Sequence, residues 1–326
     1  MKYSDFLKIN IYIFFLFFFL IFLLIFELIF SKYKYTHTFL IKPNQTLNDI
    51  SGNLYKERII DNKFFFKFMI HLNLAEKKLK AGEYEFSNNN ILQIISKIKK
   101  GESYQRKLII PEGLTSYEIL EIIKKTDGII INNNDLNKKI KEGELFPSTY
   151  FYVYGTNFNI IINNMKKRMN SILNNAWQNR DKDLPLKSYN DALILASLIE
   201  KEASLNYEKS LVAEVFLNRL KLNMKLQSDP TVLYGIEQQS GLKKKELKKK
   251  DLKHESKFNT YLNHGLPIGP ICNPGKDSII AATNPSKGDL LYFVANGDGG
   301  HNFSTNYKSH LKNVEKFKKF VNENKK

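Results

Sequence analysis

Asp191-Ala-Leu-Ile-Leu-Ala-Ser-Leu-Ile-Glu-Lys-Glu-Ala203 sets a carboxylate into an apolar helical stripe. Leu195, Leu198, Ile199 and Glu202 fall at i, i+3, i+4 and i+7, the repeat of one helix face, so Glu202 stands where a hydrophobic residue is expected. Glu200 lies two residues back, about 200° around the helix, and is expected to face solvent. A carboxyl in apolar surroundings holds its proton to higher pH, which is what a general acid needs. The helix alone favours the plainer reading, in which Glu202 caps the stripe or bonds a buried partner.

With 326 residues, 43% of them hydrophobic and 25% charged, the chain is long enough for two or three domains with real cores. Its single cysteine, Cys272, excludes an internal disulfide framework and a cysteine-based zinc site. Six scattered histidines show no metal-ligand spacing, so neither a metal nor any other cofactor is expected. The net charge of +17 comes mostly from lysines spread over the whole chain. That pattern reads first as compositional drift and second as attraction to anionic lipid or wall polymer. Nucleic acid is not expected as a partner, because no stacking platform interleaves the basic residues.

Ile9 to Phe30 is almost wholly Phe, Leu and Ile, broken only by Asn10, Tyr12 and Glu27. As a helix it would run about 33 Å, enough to cross a bilayer core. It lacks a small-residue cleavage site, so it reads as a retained anchor whose partner is membrane lipid. Lys2 and Lys8 before it and Lys32 and Lys34 after it leave its orientation open.

From Tyr35 the pattern turns soluble. Thr38 to Ile41 reads as a strand, Pro43-Asn-Gln-Thr46 as a turn and cap leading into Leu47, Ile50 and Leu54, and Lys63 to Leu72 as a second helix. Leu79 to Phe86 reads as a turn and strand, and Ile91 to Lys100 as a third helix ending at Gly101. This order, with its Ala81-Gly-Glu-Tyr84 turn, resembles a LysM-type sugar-binding module extended by one helix; the other reading is a spacer domain. Further on, Arg106 to Gly113 starts with a strand, and Thr115-Ser-Tyr-Glu118 is a capping box. Glu142 to Gly155 alternates aromatic residues that suit either stacking on a ligand or a two-sided core strand. Ile160 to Trp177 reads as a helix, and Gly241 to Lys253, rich in lysine, as a solvated insertion. Asp289 to Ala295 reads as a buried strand, followed by a glycine-rich turn and a last helix from Thr305 or Asn306 through Val321 into a fraying lysine-rich tail.

Six segments in this order carry a resemblance: Glu144-Leu-Phe-Pro-Ser-Thr-Tyr150, Ala196-Ser-Leu-Ile-Glu-Lys-Glu-Ala203, Val215-Phe-Leu-Asn-Arg-Leu220, Leu226-Gln-Ser-Asp-Pro-Thr-Val-Leu-Tyr-Gly235, Asn259-Thr-Tyr261 with Gly265-Leu-Pro267, and His301-Asn-Phe-Ser304. Together they resemble the motifs of the endolytic murein transglycosylases, the MltG or YceG-like family. The resemblance implies a catalytic glutamate on the helix motif. Glu202 takes that role over Glu200, the candidate second acid, both from the stripe and because Ile199 to Ala203 resembles the helix end of lysozyme-like lytic transglycosylases. It further implies cleavage of the β-1,4 bond between N-acetylmuramic acid and N-acetylglucosamine without water, one carboxyl serving first as acid and then as base.

Gln227, Asp229, Asn259, Tyr261, Gly265, Pro267 and His301 are the expected substrate-binding residues. Asp229, in a turn signature, could equally bond backbone amides, and His301 could equally lock its loop. Tyr234 and Asn218 read as helix-packing residues. The whole reads as an α+β protein: a cytoplasmic tail over 1–8, a transmembrane helix over 9–30, a small LysM-like module over 35–104 and a catalytic domain over 105–326 with a lysozyme-like catalytic helix. The resemblance implies an enzyme of the inner membrane, its catalytic domain outside the cytoplasm, acting on peptidoglycan glycan strands beside the peptidoglycan synthases. Two rivals remain at this stage: an anchored peptidoglycan-binding protein that does not cut, and a hydrolase with Asp229 as second carboxylate.

Overall fold

The computed structural model describes residues 3–33, 36–75, 78–136, 139–244 and 246–324. Lys2, Lys34, Tyr35, Lys245 and the terminal Lys325 and Lys326, which enter the readings above, lie outside the described residues. The chain is a mixed helix and strand protein that divides into two compact units, Met1–Arg106 with Phe151–Thr156, and Lys107–Tyr150 with Asn157–Lys326.

The first unit opens with helix α1, Tyr3–Phe30. Its stretch Asn10–Phe30 is long and apolar enough to cross a membrane, and the most apolar window within it has no buried residue. Strand β1 (His37–Ile41) pairs antiparallel with β2 (Gly82–Phe86), Phe39 opposite Tyr84. Between them run α2 (Leu47–Lys56) and α3 (Lys63–Leu72), and α4 (Ile91–Lys100) follows. The boundaries have local causes. Thr46 and Asp49, like Asn90 and Gln93, bond each other's backbone N–H groups in reciprocal capping boxes. Gly101, left-handed at φ 76°, ends α4 where a side chain would be strained. The core is Phe39, Ile41, Leu54, Phe66, Ile70, Tyr84, Phe86 and the Ile91, Ile94, Ile95, Ile98 stripe of α4, with Ile29 and Tyr33 packed against it. Arg106 forks onto Glu83 with Nε to Oε2 at 2.6 Å.

In the second unit α5 (Ser116–Lys125) starts at the Thr115–Glu118 capping box. After a single helical turn at Asn133–Leu136 come the longer helices α6 (Phe158–Gln178), α7 (Tyr189–Glu202), α8 (Lys209–Lys221), α9 (Asp229–Ser240) and α10 (Lys276–Thr283). A hairpin of β3 (Tyr292–Ala295) and β4 (His301–Ser304) precedes α11 (Tyr307–Glu323). Strand β3 is shorter than expected and only half-buried. Helix α10 has no counterpart among the expected elements.

Helix α7 is the centre of this unit. Helices α6, α8, α9 and α10 all pack on it, and every residue from Ala192 to Ile199 is buried. A helix apolar all round belongs inside a protein rather than on its surface. Fully burying Leu195, Leu198 and Ile199 contributes roughly 1.5–3 kcal/mol each. Ser188 caps its start by accepting the Asp191 N–H, and Ala203, in extended backbone, ends it. Ser197 serves the packing from inside the helix: its Oγ donates to the Ile194 carbonyl and accepts the N–H of Ile271 at 3.0 Å. The segment after Ile271 is fixed by fully buried Asn273, whose Oδ1 takes the Leu145 N–H at 2.8 Å and whose Nδ2 reaches Glu142 at 2.9 Å. Along the aromatic stretch Tyr152 is buried and Phe151 exposed, and the Tyr150 hydroxyl donates to the Phe146 carbonyl.

Candidate active site

Glu202 is the last residue of α7, where the buried helix emerges from its packing. Its Oε1 accepts a 2.6 Å hydrogen bond from Ser228 Oγ. Ser228 is itself 1% exposed and held from every side in the turn before α9. Its N–H donates to Thr260 Oγ1 at 2.9 Å, and its carbonyl accepts from Thr231 Oγ1 at 2.6 Å. The Thr231 hydroxyl proton is thereby used, so the 2.9 Å contact between the two threonine hydroxyls is donated by Thr260. Gln227 N–H donates to the Thr260 carbonyl. The serine that meets Glu202 is thus a fixed donor.

Burial pushes the Glu202 carboxyl up to about 7. The Ser228 bond, which favours the charged form, opposes this without overcoming it; the negative charge of Asp229 adds to the rise, while His301 and Arg219 pull the other way. Near neutral pH the carboxyl therefore exists in both protonated and ionised forms, the two states that alternate acid and base work requires.

Asp229 and Tyr261 form a second pair. The Tyr261 hydroxyl donates to Asp229 Oδ1 at 2.5 Å, and burial, then this bond, raises the phenol above its ordinary range. Asp229 sits in the first turn of α9, exposed, with Pro230 behind it. A carboxylate at a helix start is favoured by the helix dipole. The turn signature led to backbone amides as its partners; the described partner is a phenol. Gln227 is exposed and held at φ 50°, a left-handed conformation uncommon for a residue with a side chain, between buried Leu226 and Ser228.

His301 opens β4. Glu208, on the single turn Asn206–Glu208 after α7, accepts both the His301 N–H at 2.8 Å and Nδ1 at 2.7 Å. Arg219 is buried on α8, its guanidinium donating to the Leu291 and Leu226 carbonyls at 2.7 Å each and facing the Tyr292 ring.

Three expected site residues are corrected by the structure. Glu200 does not face solvent: its side chain is 8% exposed, and Oε2 accepts from the Gly275 N–H at 2.9 Å, Ser278 Oγ at 2.6 Å and Lys209 Nζ at 3.4 Å. It caps α10 and neutralises a buried lysine, because a helix covered on all sides leaves no solvent face. Asn259 is fully buried and cannot line a groove; its Nδ2 donates to the Leu252 and His254 carbonyls and its Oδ1 accepts the Tyr261 N–H, so it folds the segment that delivers Tyr261. Pro267 is buried as well. Gly265 is a turn glycine at φ 79° with open space beside it. Tyr234 and Asn218, expected to pack helices, bond loop groups: the Tyr234 hydroxyl donates to Glu142 at 3.2 Å and Asn218 Nδ2 to the Gly288 carbonyl at 2.9 Å.

Ser228, Thr231, Thr260, Glu208 and Arg219 were not among the expected site residues. Ser228 stands inside a motif quoted for its neighbours. Glu208 carries no local signal at all, since its partner is 93 positions away.

The model of the YceG-like family matches residues 39–316 of the chain. An endolytic murein transglycosylase of Bacillus subtilis (strain 168) is 38% identical over 237 residues, which cover 72% of this chain and 64% of the relative. One from Streptococcus pneumoniae (strain D39) is 27% identical over 321 residues, covering 84% of this chain and 57% of the relative. The chain thus matches less than two thirds of the length of these curated relatives. A crystal structure of a yceG-like protein from Listeria monocytogenes aligns over 86% of this chain and 99% of that one, at 34% identity and a TM-score of 0.52. With the match running from β1 into α11, through every residue of the Glu202 site, the chain belongs to the YceG-like family.

Proposed function

We propose that this protein is an endolytic peptidoglycan lytic transglycosylase that cuts the β-1,4 bond between N-acetylmuramic acid and N-acetylglucosamine in nascent glycan strands and leaves 1,6-anhydro ends. The observation that carries the reading is the Glu202 carboxyl, raised to about 7 by burial and aimed by Ser228. In its protonated form Glu202 donates to the glycosidic oxygen as the bond to C1 breaks through an oxocarbenium-like state. The resulting carboxylate takes the proton of the muramic C6 hydroxyl while that oxygen bonds to C1. The proton count closes on one residue, and no water is consumed.

Asp229 supports this division of labour. Its charge adds to the rise that burial gives Glu202 and would stabilise positive charge developing on the sugar. Its Oδ1 accepts the Tyr261 hydroxyl, which orients the carboxylate. A binder that does not cut would gain nothing from a desolvated acid. Exposed Gln227 and half-buried Tyr261 offer an amide and a phenol to acetamido and hydroxyl groups.

We assign α1 as a single-pass anchor in the cytoplasmic membrane, with the enzyme on the outer side where the glycan is made and the peptidoglycan synthases work. The strand, two helices, strand and helix of the first unit are read as a LysM-like module. The test is mass spectrometry of purified glycan strands incubated with the full chain in detergent, beside Glu202→Gln. Anhydro ends from the wild type and none from the variant are expected; reducing ends would mean a hydrolase, and no cleavage a binder.

A further inference from the structure

Glu208 is 4% exposed on its side chain, and among the described residues no lysine or arginine reaches it. Both of its oxygens go to one residue. Oε1 accepts the His301 backbone N–H and Oε2 meets the His301 Nδ1, at 2.8 and 2.7 Å. The surroundings are built to allow it. A Cβ on Gly300 would lie 2.6 Å from Glu208 Oε1, so the carboxylate approaches only because that residue has none. Asn296 Oδ1 holds the Gly300 N–H at 3.1 Å, and the Phe293 ring meets the imidazole edge to face at 5.3 Å.

Taking a carboxylate out of water for two hydrogen bonds is expensive, and a glutamine would satisfy the backbone N–H without that cost. An acid does one thing that the amide does not. It accepts at both ends, so Nδ1 must be the nitrogen that carries the proton. Among the described residues the other nitrogen, Nε2, has no partner, and it is not among the sealed polar atoms. Glu208 follows Glu202 by one short turn, Asn206–Glu208.

We infer that Glu208 is a positioning residue for the reaction at Glu202, acting through His301: it locks the imidazole with the proton on Nδ1, so that Nε2 offers a lone pair to a hydroxyl of the bound glycan. The inference rests on the transglycosylase reading. Glu208→Gln tests it with little change of shape. If the glutamine oxygen keeps the backbone N–H, its NH2 must donate to Nδ1, the imidazole proton moves to Nε2, and the acceptor is lost; the same inversion disables a serine-protease triad.

The measurement uses the full chain in detergent with purified glycan strands, anhydro ends being counted by mass spectrometry. Glu208→Gln should lower kcat/KM roughly ten- to a hundredfold, with a loss in kcat as well as a rise in KM, and Glu208→Asp, still an acceptor at both oxygens, should recover part of the loss. In parallel, 15N NMR of the histidine-labelled chain, with His301 assigned by His301→Gln, should find the proton on Nδ1 in the wild type. Wild-type kcat in Glu208→Gln, or a wild-type imidazole protonated on Nε2 alone, overturns the inference, and the second result stands even where the variant does not fold. A wild type that makes no anhydro ends overturns the reading beneath it instead, and the NMR tells the two failures apart.

Discussion

Ser228 Oγ donates to Glu202 Oε1 at 2.6 Å, and it does so from a turn whose own polar groups are all spoken for by Thr231 and Thr260. The bond favours the ionised carboxyl, while burial, the larger effect, favours the protonated one. Removing the serine hydroxyl should therefore let the acid rise further. Ser228→Ala is expected to move the alkaline limb of the pH–rate profile up by roughly one unit, with a several-fold loss of kcat from the freed carboxyl rotamer. An unchanged limb would mean that the serine does not meet the working acid.

Asp229 acts in the opposite sense, since its negative charge helps to keep Glu202 protonated. Asp229→Asn should lower the Glu202 value and carry the alkaline limb to lower pH, while the products remain anhydro ends. Tyr261 then loses its charged acceptor, so weaker substrate binding should accompany the shift. A profile that does not move, read together with product analysis, would separate Asp229 from the chemistry.

The same acid is a burden on the fold, and the sign follows from linkage. The folded-state value, about 7, lies above the unfolded 4.5, so the group's contribution to stability is full below 4.5 and is lost as pH rises through 7. The loss is on the order of 3 kcal/mol at most. Glu202→Gln should accordingly melt higher than the wild type at pH 8 and close to it at pH 4. Equal melting shifts at both pH values would contradict a desolvated carboxyl.

Glu200 should separate cleanly from Glu202. It joins Lys209, whose side chain is 4% exposed, to the start of α10. Among the described residues Glu200→Ala leaves that buried ammonium with Glu112, 3.6 Å away, as its ionic partner, and should cost about 3 kcal/mol in denaturant unfolding. Glu200→Gln should retain most of the cleavage per folded molecule. Abolished cleavage with a native melting temperature would return the catalytic role to Glu200.

Much of this was legible in the order of residues. The Thr46 and Thr115 caps and the bilayer-length apolar run are local patterns, and local patterns survive folding. Glu202 stood out because a carboxylate interrupted a helical repeat. The same repeat misled about Glu200, although the run from Ala192 to Ile199, apolar but for Ser197, already spoke for a helix with no outside face. Asn259 was misjudged because an amide suits a sugar and a buried carbonyl pair equally well, and only the fold decides between them. Ser228 with Glu202, and Glu208 with His301, are joined across 26 and 93 positions. No periodicity in the sequence reports such pairs.

Titration of the Glu202 carboxyl itself decides most directly whether one acid can serve both halves of the reaction. With glutamate 13C-labelled at the carboxyl carbon in the full chain, and the Glu202 signal assigned as the one missing from Glu202→Gln, NMR should find a midpoint near 7. A midpoint at the ordinary glutamate value, near 4.5, would contradict it, because the carboxyl would then carry no proton to give at neutral pH.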